Sequence, residues 1–339
     1  MLRVGIIGAT GYTGEELISI LLKNPKVKIT YLARQQDVKE NIDKIFPKFF
    51  KKISLPCQKF NLPKALELCD LLFLALPHTT SMEIAPSLLK NNKIVIDLSA
   101  DYRLKDVNVY QAWYCKVHKD SLNLKNAVYG LPELYKEKIK KAKLIANPGC
   151  YPTAAILAIA PVLEAGLIDK NNIIIDAKSG VSGTGKKLSA DLIFSEVNEN
   201  FKAYKVNEHQ HAPEINQVLS DLAKEKIETT FVPHLVPMYR GILETIYLKL
   251  KKKINLEAVT RIYKNFYKNE PFVRILEANL PETKFVAGTN YCDLGFKLDQ
   301  KKNLLIAVSA IDNLIKGASG QAVQNMNILS GFKETEGLL

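Results

Sequence analysis

RVGIIGATGYTG, residues 3 to 14, runs a nearly continuous apolar strand into a glycine-spaced turn and then into a helix that begins at about Thr13. A strand this apolar is buried on both faces, as in a parallel sheet covered by helices. Glycines at 8, 11 and 14 permit a tight turn and a close approach of backbone to a pyrophosphate, whose charge is met by the amides and dipole of the helix start. A glycine triplet alone is a weak motif. Its place after the first strand of an alternating series makes Gly8, Thr10, Gly11, Tyr12, Thr13 and Gly14 the expected dinucleotide contacts.

Outward from that turn the alternation continues through KVKITYLA, CDLLFLALP, NKIVIDLS and AKLIANPG, with helix-like segments between them. This predicts a Rossmann-type, doubly wound parallel sheet of the α/β class. Beyond Cys150 the runs NIIIDAKSG, TTFVPHLVPM, ILETIYLKLK, FVRILEA, TNYCDLGFKL and LLIAVSAI are more alternating, with helical stretches near residues 211–224 and 256–268. They predict an α+β domain with a mixed, largely antiparallel sheet. The closing segment NLIKGASGQAVQNMNILSGF has apolar residues at helical spacing, suited to packing back on the first domain.

A chain of 339 residues with 47% apolar and 24% charged residues has material for two cores. No apolar run reaches membrane-spanning length and the first residues go straight into a strand, so the expected location is the cytoplasm, with no membrane partner. Five cysteines without CxxC spacing read as reduced thiols rather than a disulfide framework or zinc cluster. The formal charge of +12 comes from lysines spread along the chain, which argues against nucleic acid and suits small polyanions.

The second strand ends in ITYLARQQD, where Arg34 stands in the place of the acidic residue that holds an NAD ribose. A guanidinium there suits a 2′-phosphate, so the expected cofactor is NADP. In NPGCYPT, residues 147 to 153, Pro148 stiffens the approach, Gly149 allows a turn and Pro152 fits the first turn of a helix. Cys150 therefore sits at a helix N-terminus, where amides and dipole favour thiolate over thiol. A thiolate that attacks an activated acyl group gives a thioester, which accepts hydride where a free carboxylate does not.

EHQHAPEI supplies His209, His211 and Glu214, with the carboxylate placed to orient the His211 ring on a helix. No third ligand stands near this His-x-His, so no metal is expected. His118 and His234 read as structural, and His78 in LALPHTTS as a residue lining a pocket at the carboxyl end of the sheet. Arg103 and Arg240 are the candidate anion contacts. SGVSGTGKK matches most of a phosphate-binding P-loop, but residue 187 is lysine where a magnesium-binding hydroxyl belongs, so a glycine-rich loop closing over the site fits better.

Taken together, GATGYTGEEL, LALPH, DLSADYRL, YGLPEL, NPGCYPT, SGVSGTGKK, HQHAPEI, HLVPMYRGI and KGASGQAVQNMN resemble the N-acetyl-γ-glutamyl-phosphate reductases, relatives of aspartate-semialdehyde dehydrogenase. The resemblance implies an NADP-binding Rossmann domain of residues 1–149 plus 313–339, and a catalytic and oligomerisation domain of residues 150–312. It implies a homo-oligomer, a tetramer, acting on a small acyl phosphate with release of phosphate. Cys150 resembles the nucleophile, and His209, His211 and Glu214 the acid/base group, with His211 favoured for proton transfer. Ser182, Gly183 and Asn325 are expected at the cofactor, and Asn147, Arg103 and Arg240 at the substrate. The implied reaction is NADPH-dependent reduction of N-acetyl-glutamyl phosphate to its semialdehyde in arginine biosynthesis. Aminoadipyl- or aspartyl-phosphate substrates share the chemistry, and an NADP-binding scaffold without turnover is the non-enzymatic alternative. Two departures stand out. The tail of SGTGKK lacks an arginine that many members carry, and DYRL replaces DFRL.

Overall fold

Strands β1 (Leu2–Ile7), β2 (Val27–Arg34), β3 (Glu40–Asn41), β4 (Pro56–Lys59), β5 (Leu71–Leu74), β6 (Ile94–Asp97), β7 (Val128–Tyr129) and β8 (Leu144–Ala146) form one sheet, in the order β3-β4-β2-β1-β5-β6-β8-β7. All neighbours are parallel except β3 and β4. The order reverses direction at β1, so the glycine turn stands at the carboxyl end of the strand where open sheets of this kind bind ligands. The apolar runs expected as strands are strands. The short β3, β4 and β7 were not foreseen, because two to four residues carry no usable periodicity.

The computed structural model describes residues 1–339 apart from Asp37 and Lys187. It divides into two units, Met1–Pro148 with Ala318–Leu339, and Gly149–Gly317. The chain leaves the first unit one residue before Gly149 and returns at Ala318, which places residues 313–317 with the second unit. In the first unit the helix Gly320–Leu329 packs against the helices Tyr12–Leu21 and Pro132–Ile139. Its Gln321, Gln324, Asn325 and Asn327 are as buried as its Val323 and Met326, so it is held by amide hydrogen bonds as much as by apolar contact.

In the second unit β9 (Ile168–Ser179), β10 (Lys202–Ala203), β11 (Thr230–Leu235), β12 (Ile242–Leu250), β13 (Val273–Leu276), β14 (Cys292–Asp299) and β15 (Leu304–Ile311) run in the order β10-β11-β9-β12-β15-β14-β13. Only β11 with β9 and β13 with β14 are parallel, which makes the sheet mixed and largely antiparallel. The helix Cys150–Glu164 lies against β9, β12, β14 and β15, and residues 151–163 are all buried. A helix apolar on every side belongs in the middle of a fold. Pro161 lacks the amide hydrogen that would meet the Leu157 carbonyl, and the Tyr267 hydroxyl donates to that carbonyl instead, at 2.6 Å.

One position on β12 breaks the alternation. Glu244 lies on the covered face between Ile242 and Ile246, fully buried, and neither carboxylate oxygen has a hydrogen-bond partner among the described residues. Burial holds this carboxyl well above the ordinary range, against a smaller downward pull from the Lys178 charge. A carboxyl raised on folding stabilises most at low pH, and that contribution is lost as pH climbs from the unfolded value toward the folded one. Glu244→Met is therefore expected to raise the thermal midpoint more at pH 8 than at pH 5, with a gain of about 1–4 kcal/mol at the higher pH. Melting curves of both proteins across that range check this, and parallel pH profiles would contradict it.

Candidate active site

The glycine turn has the shape its composition demands. Gly8 has φ +93°, and a Cβ there would lie 2.0 Å from the Ala75 carbonyl oxygen. At Gly14 a Cβ would stand 2.3 Å from the Gly8 oxygen, so a side chain would hold the helix off the strand. Helix Tyr12–Leu21 starts at Gly11 with no side-chain cap, and the Gly8 and Ala9 amides are both anchored on the Ala33 carbonyl at 2.9 Å. Uncapped amides beside a backbone with no Cβ fit a dinucleotide pyrophosphate.

DLSADYRL supports the adjoining loop. Asp101 accepts from the amides of Thr79 at 2.7 Å and Met82 at 3.0 Å, and His78 Nδ1 accepts from the Ala100 amide at 3.1 Å. His118 pairs its Nε2 with the Asp101 carbonyl and is buried, in line with the structural role expected of it. Arg103 is 6% exposed and donates from Nε to the Asn147 carbonyl and from Nη2 to the Leu98 carbonyl, each at 2.8 Å. Asn147 in turn donates to the Ala318 carbonyl and accepts from Asn325, whose amide also reaches Gly130. Arg103, Asn147 and Asn325 thus form one buried clasp around the segment that leads into Pro148.

Cys150 is the first residue of its helix, half-buried, after Gly149 in extended backbone. Glu214, 1% exposed, accepts from the Gly149 amide at 2.8 Å. Glu214 belongs to the first turn of the helix Ala212–Ala223, whose N-cap is His211. One carboxylate therefore pins the start of the His211 helix to the start of the Cys150 helix. The His209 and His211 rings lie 4.8 Å apart, and the His211 amide donates to His209 Nδ1 at 3.1 Å. That contact leaves a lone pair on Nδ1 and the ring proton of His209 on Nε2.

Around the pair stand Tyr151, Tyr204 and Phe231, in edge-to-face contact with His209. The two tyrosine hydroxyls are 3.2 Å apart, and burial raises both, Tyr204 to about 12, so they stay protonated as donors. SGVSGTG docks on PMYRG through its backbone. The amides of Gly180, Val181 and Ser182 donate to the carbonyls of Gly241, Met238 and Tyr239, and a Cβ at Gly180 would lie 2.8 Å from the Met238 oxygen. The Ser182 hydroxyl accepts from Asn313, and Gly183 follows it in the short turn Val181–Thr184. Lys187, on which rejection of a P-loop rested, lies outside the described residues. Arg240 donates to Asp312, which is fully buried, at 3.1 Å.

Sequence reasoning passed over Gly317, Tyr204 and Phe231. A Cβ on Gly317 would lie 2.7 Å from the Cys150 Cβ and 3.1 Å from its Cα. Gly317 stands inside the quoted KGASG motif, but nothing there signals that it faces a cysteine so distant in sequence. Gly317→Ala should displace Cys150 and cost about 1–3 kcal/mol of stability through overpacking. Iodoacetamide labelling of Cys150 and kcat/KM should both fall, the latter by about a hundredfold. Glu214→Ala leaves the buried Gly149 amide unpaired and should lower stability by about 1–3 kcal/mol in urea titrations, with Glu214→Gln intermediate. Equal stability of all three proteins would deny Glu214 this bracing role.

A family model for the semialdehyde dehydrogenase NAD binding domain matches residues 3–142, and one for the semialdehyde dehydrogenase dimerisation domain matches residues 150–313. The first unit thus corresponds to a nicotinamide-cofactor domain. Among solved structures, aspartate semialdehyde dehydrogenase II of Vibrio cholerae covers 98% of the chain and 98% of its own at 17% identity with a TM-score of 0.74, a likeness of fold. The Candida albicans aspartate semialdehyde dehydrogenase solved with NADP covers 97% of this chain and 98% of its own at 15% identity and a TM-score of 0.71. The proteins named N-acetyl-gamma-glutamyl-phosphate reductase from Desulforamulus reducens and Geotalea daltonii are each 50% identical to this chain over all of it and over 98% of their own length. At that identity over its whole length, the chain belongs to the N-acetyl-gamma-glutamyl-phosphate reductase family.

Proposed function

We propose that this protein reduces N-acetyl-glutamyl phosphate to N-acetylglutamate semialdehyde through a thioester on Cys150, with NADPH as reductant. The observation that carries the reading is the Gly149–Glu214 hydrogen bond, which joins the helix start bearing the thiol to the helix start bearing the imidazole. The family names supply the substrate, and 50% identity supports it.

In this reading the helix start favours the Cys150 thiolate, which attacks the γ-carbonyl and expels phosphate, forming the C–S bond as the C–O bond breaks. Gly8, Gly11 and Gly14 would hold the cofactor pyrophosphate with Thr10, Tyr12 and Thr13, Arg34 would take the 2′-phosphate, and Asn325 in the first unit and Ser182 and Gly183 in the second are further proposed cofactor contacts. Bound there, NADPH supplies the hydride that reduces the thioester. His211 protonates the hemithioacetal oxygen and takes that proton back as the C–S bond breaks, releasing the semialdehyde and restoring the thiolate. His209, its Nδ1 occupied by the His211 amide, orients the pair. Arg103, Asn147 and Arg240 meet the substrate anion or fix the backbone that does. The proposal includes a cytoplasmic homo-oligomer, supported by the match to a dimerisation domain.

Purified protein is expected to reduce NADP⁺ with N-acetylglutamate semialdehyde only when phosphate or arsenate is present. Cys150→Ser should lose at least about a thousandfold in kcat, and His211→Asn about a hundredfold or more with a changed pH profile. Full activity of Cys150→Ser would eliminate the mechanism, and a higher kcat/KM with the aminoadipate or aspartate semialdehyde would replace the substrate.

A further inference from the structure

Arg34 ends β2 immediately after Ala33, whose carbonyl anchors the Gly8 and Ala9 amides of the cofactor turn. Its guanidinium thus lies on the side of the turn where a dinucleotide places its adenosine ribose. The side chain is 6% exposed, and its fork is already engaged. Nε and Nη2 both donate to the Val38 carbonyl, at 2.8 and 2.5 Å, and Nη1 stands 3.5 Å from Glu40 Oε2. Val38 therefore pins the fork in one orientation, and the edge left to an incoming anion is the edge that faces Glu40. Glu40 is half-exposed on the two-residue strand β3 and is free to move without disturbing a core.

We propose that Glu40 sets the discrimination between NADPH and NADH. Its carboxylate occupies the guanidinium edge that a ribose 2′-phosphate must take, and it repels that phosphate. Toward a ribose that carries a hydroxyl instead, the same carboxylate is a hydrogen-bond acceptor, the role an acidic residue plays at the end of the second strand in NAD sites. The pair thus contains both halves of the choice, a cation for the phosphate and an anion for the hydroxyl. The proposal rests on Arg34 being the 2′-phosphate contact, as inferred above.

The test is titration of NADPH and NADH into the wild type, Glu40→Gln, Arg34→Gln and the double variant, following nucleotide fluorescence at two ionic strengths. Glu40→Gln should tighten NADPH by about fivefold, as expected for a half-exposed ion pair, and leave NADH unchanged or weaker. The shift should shrink at high salt and vanish in the Arg34→Gln background. Arg34→Lys stands in where removing the buried guanidinium prevents folding. An unchanged NADPH-to-NADH ratio in Glu40→Gln overturns the proposal, as does a shift that persists undiminished without Arg34. Should Arg34→Gln itself leave the ratio unchanged, the phosphate assignment fails and the proposal with it. That outcome is distinct from one in which Arg34→Gln loses NADPH and Glu40→Gln alters nothing.

Discussion

One buried carboxylate, Glu214, connects the two helix starts that bear Cys150 and His211. Its bond to the Gly149 amide satisfies a donor that a helix start leaves without an intrahelical partner, and its place in the first turn of its own helix is where the dipole favours negative charge. Both helix starts gain from the same charge. Because Glu214 is 1% exposed, water neither screens the contact nor replaces it, and the geometry of two loops reduces to one interatomic distance. Gly317 completes the constraint from the far side, since only a residue without Cβ leaves Cys150 where the helix puts it.

The remaining described site segments are held by hydrogen bonds, many of them to backbone, as well as by apolar packing. The turn after β9 reads the carbonyls of PMYRG with three successive amides, and the clasp of Arg103, Asn147 and Asn325 secures a carbonyl and an amide near the end of the first unit. Such contacts fix position with little dependence on residue size. A loop docked by amides keeps its path while its side chains remain available for ligand. The arginines are the exception. Arg103 donates to two carbonyls and Arg240 to Asp312, so part of each fork is already engaged within the protein.

Much of this was legible because strand and helix periods are local. The turn at Gly8, the helix start at Cys150 and the helix that begins just after His211 all follow from residues within a few positions of one another. What could not be read is long-range. Phe231 joins the histidine pair because Asn207, two residues before His209, exchanges hydrogen bonds with its amide and carbonyl, and Gly317 meets Cys150 because the segment that follows β15, a strand packed on the Cys150 helix, passes the start of that helix. The C-terminal helix was read from its apolar spacing, yet its amides are buried too, and their partners at Gly130, Glu133 and Glu334 are invisible to any periodicity. Glu244 is the sharpest case. In ILETIYLKL the glutamate falls on the apolar phase of the strand, a local conflict that only the covered face of the sheet reveals as burial.

Arg34 shows why residue type alone under-determines a binding site. Its position at the end of β2 would suit a phosphate, while Val38 already accepts from two of its nitrogens and the Glu40 carboxylate stands 3.5 Å from the third. A guanidinium pinned by a carbonyl loses less entropy when a ligand arrives, which strengthens binding, yet a carboxylate on its open edge must first be displaced, which weakens it. Pinning acts on both nucleotides through whatever contacts they share. The displacement cost would fall on the phosphorylated one alone, so the exposed glutamate would set how far the buried arginine's preference for a phosphate is expressed.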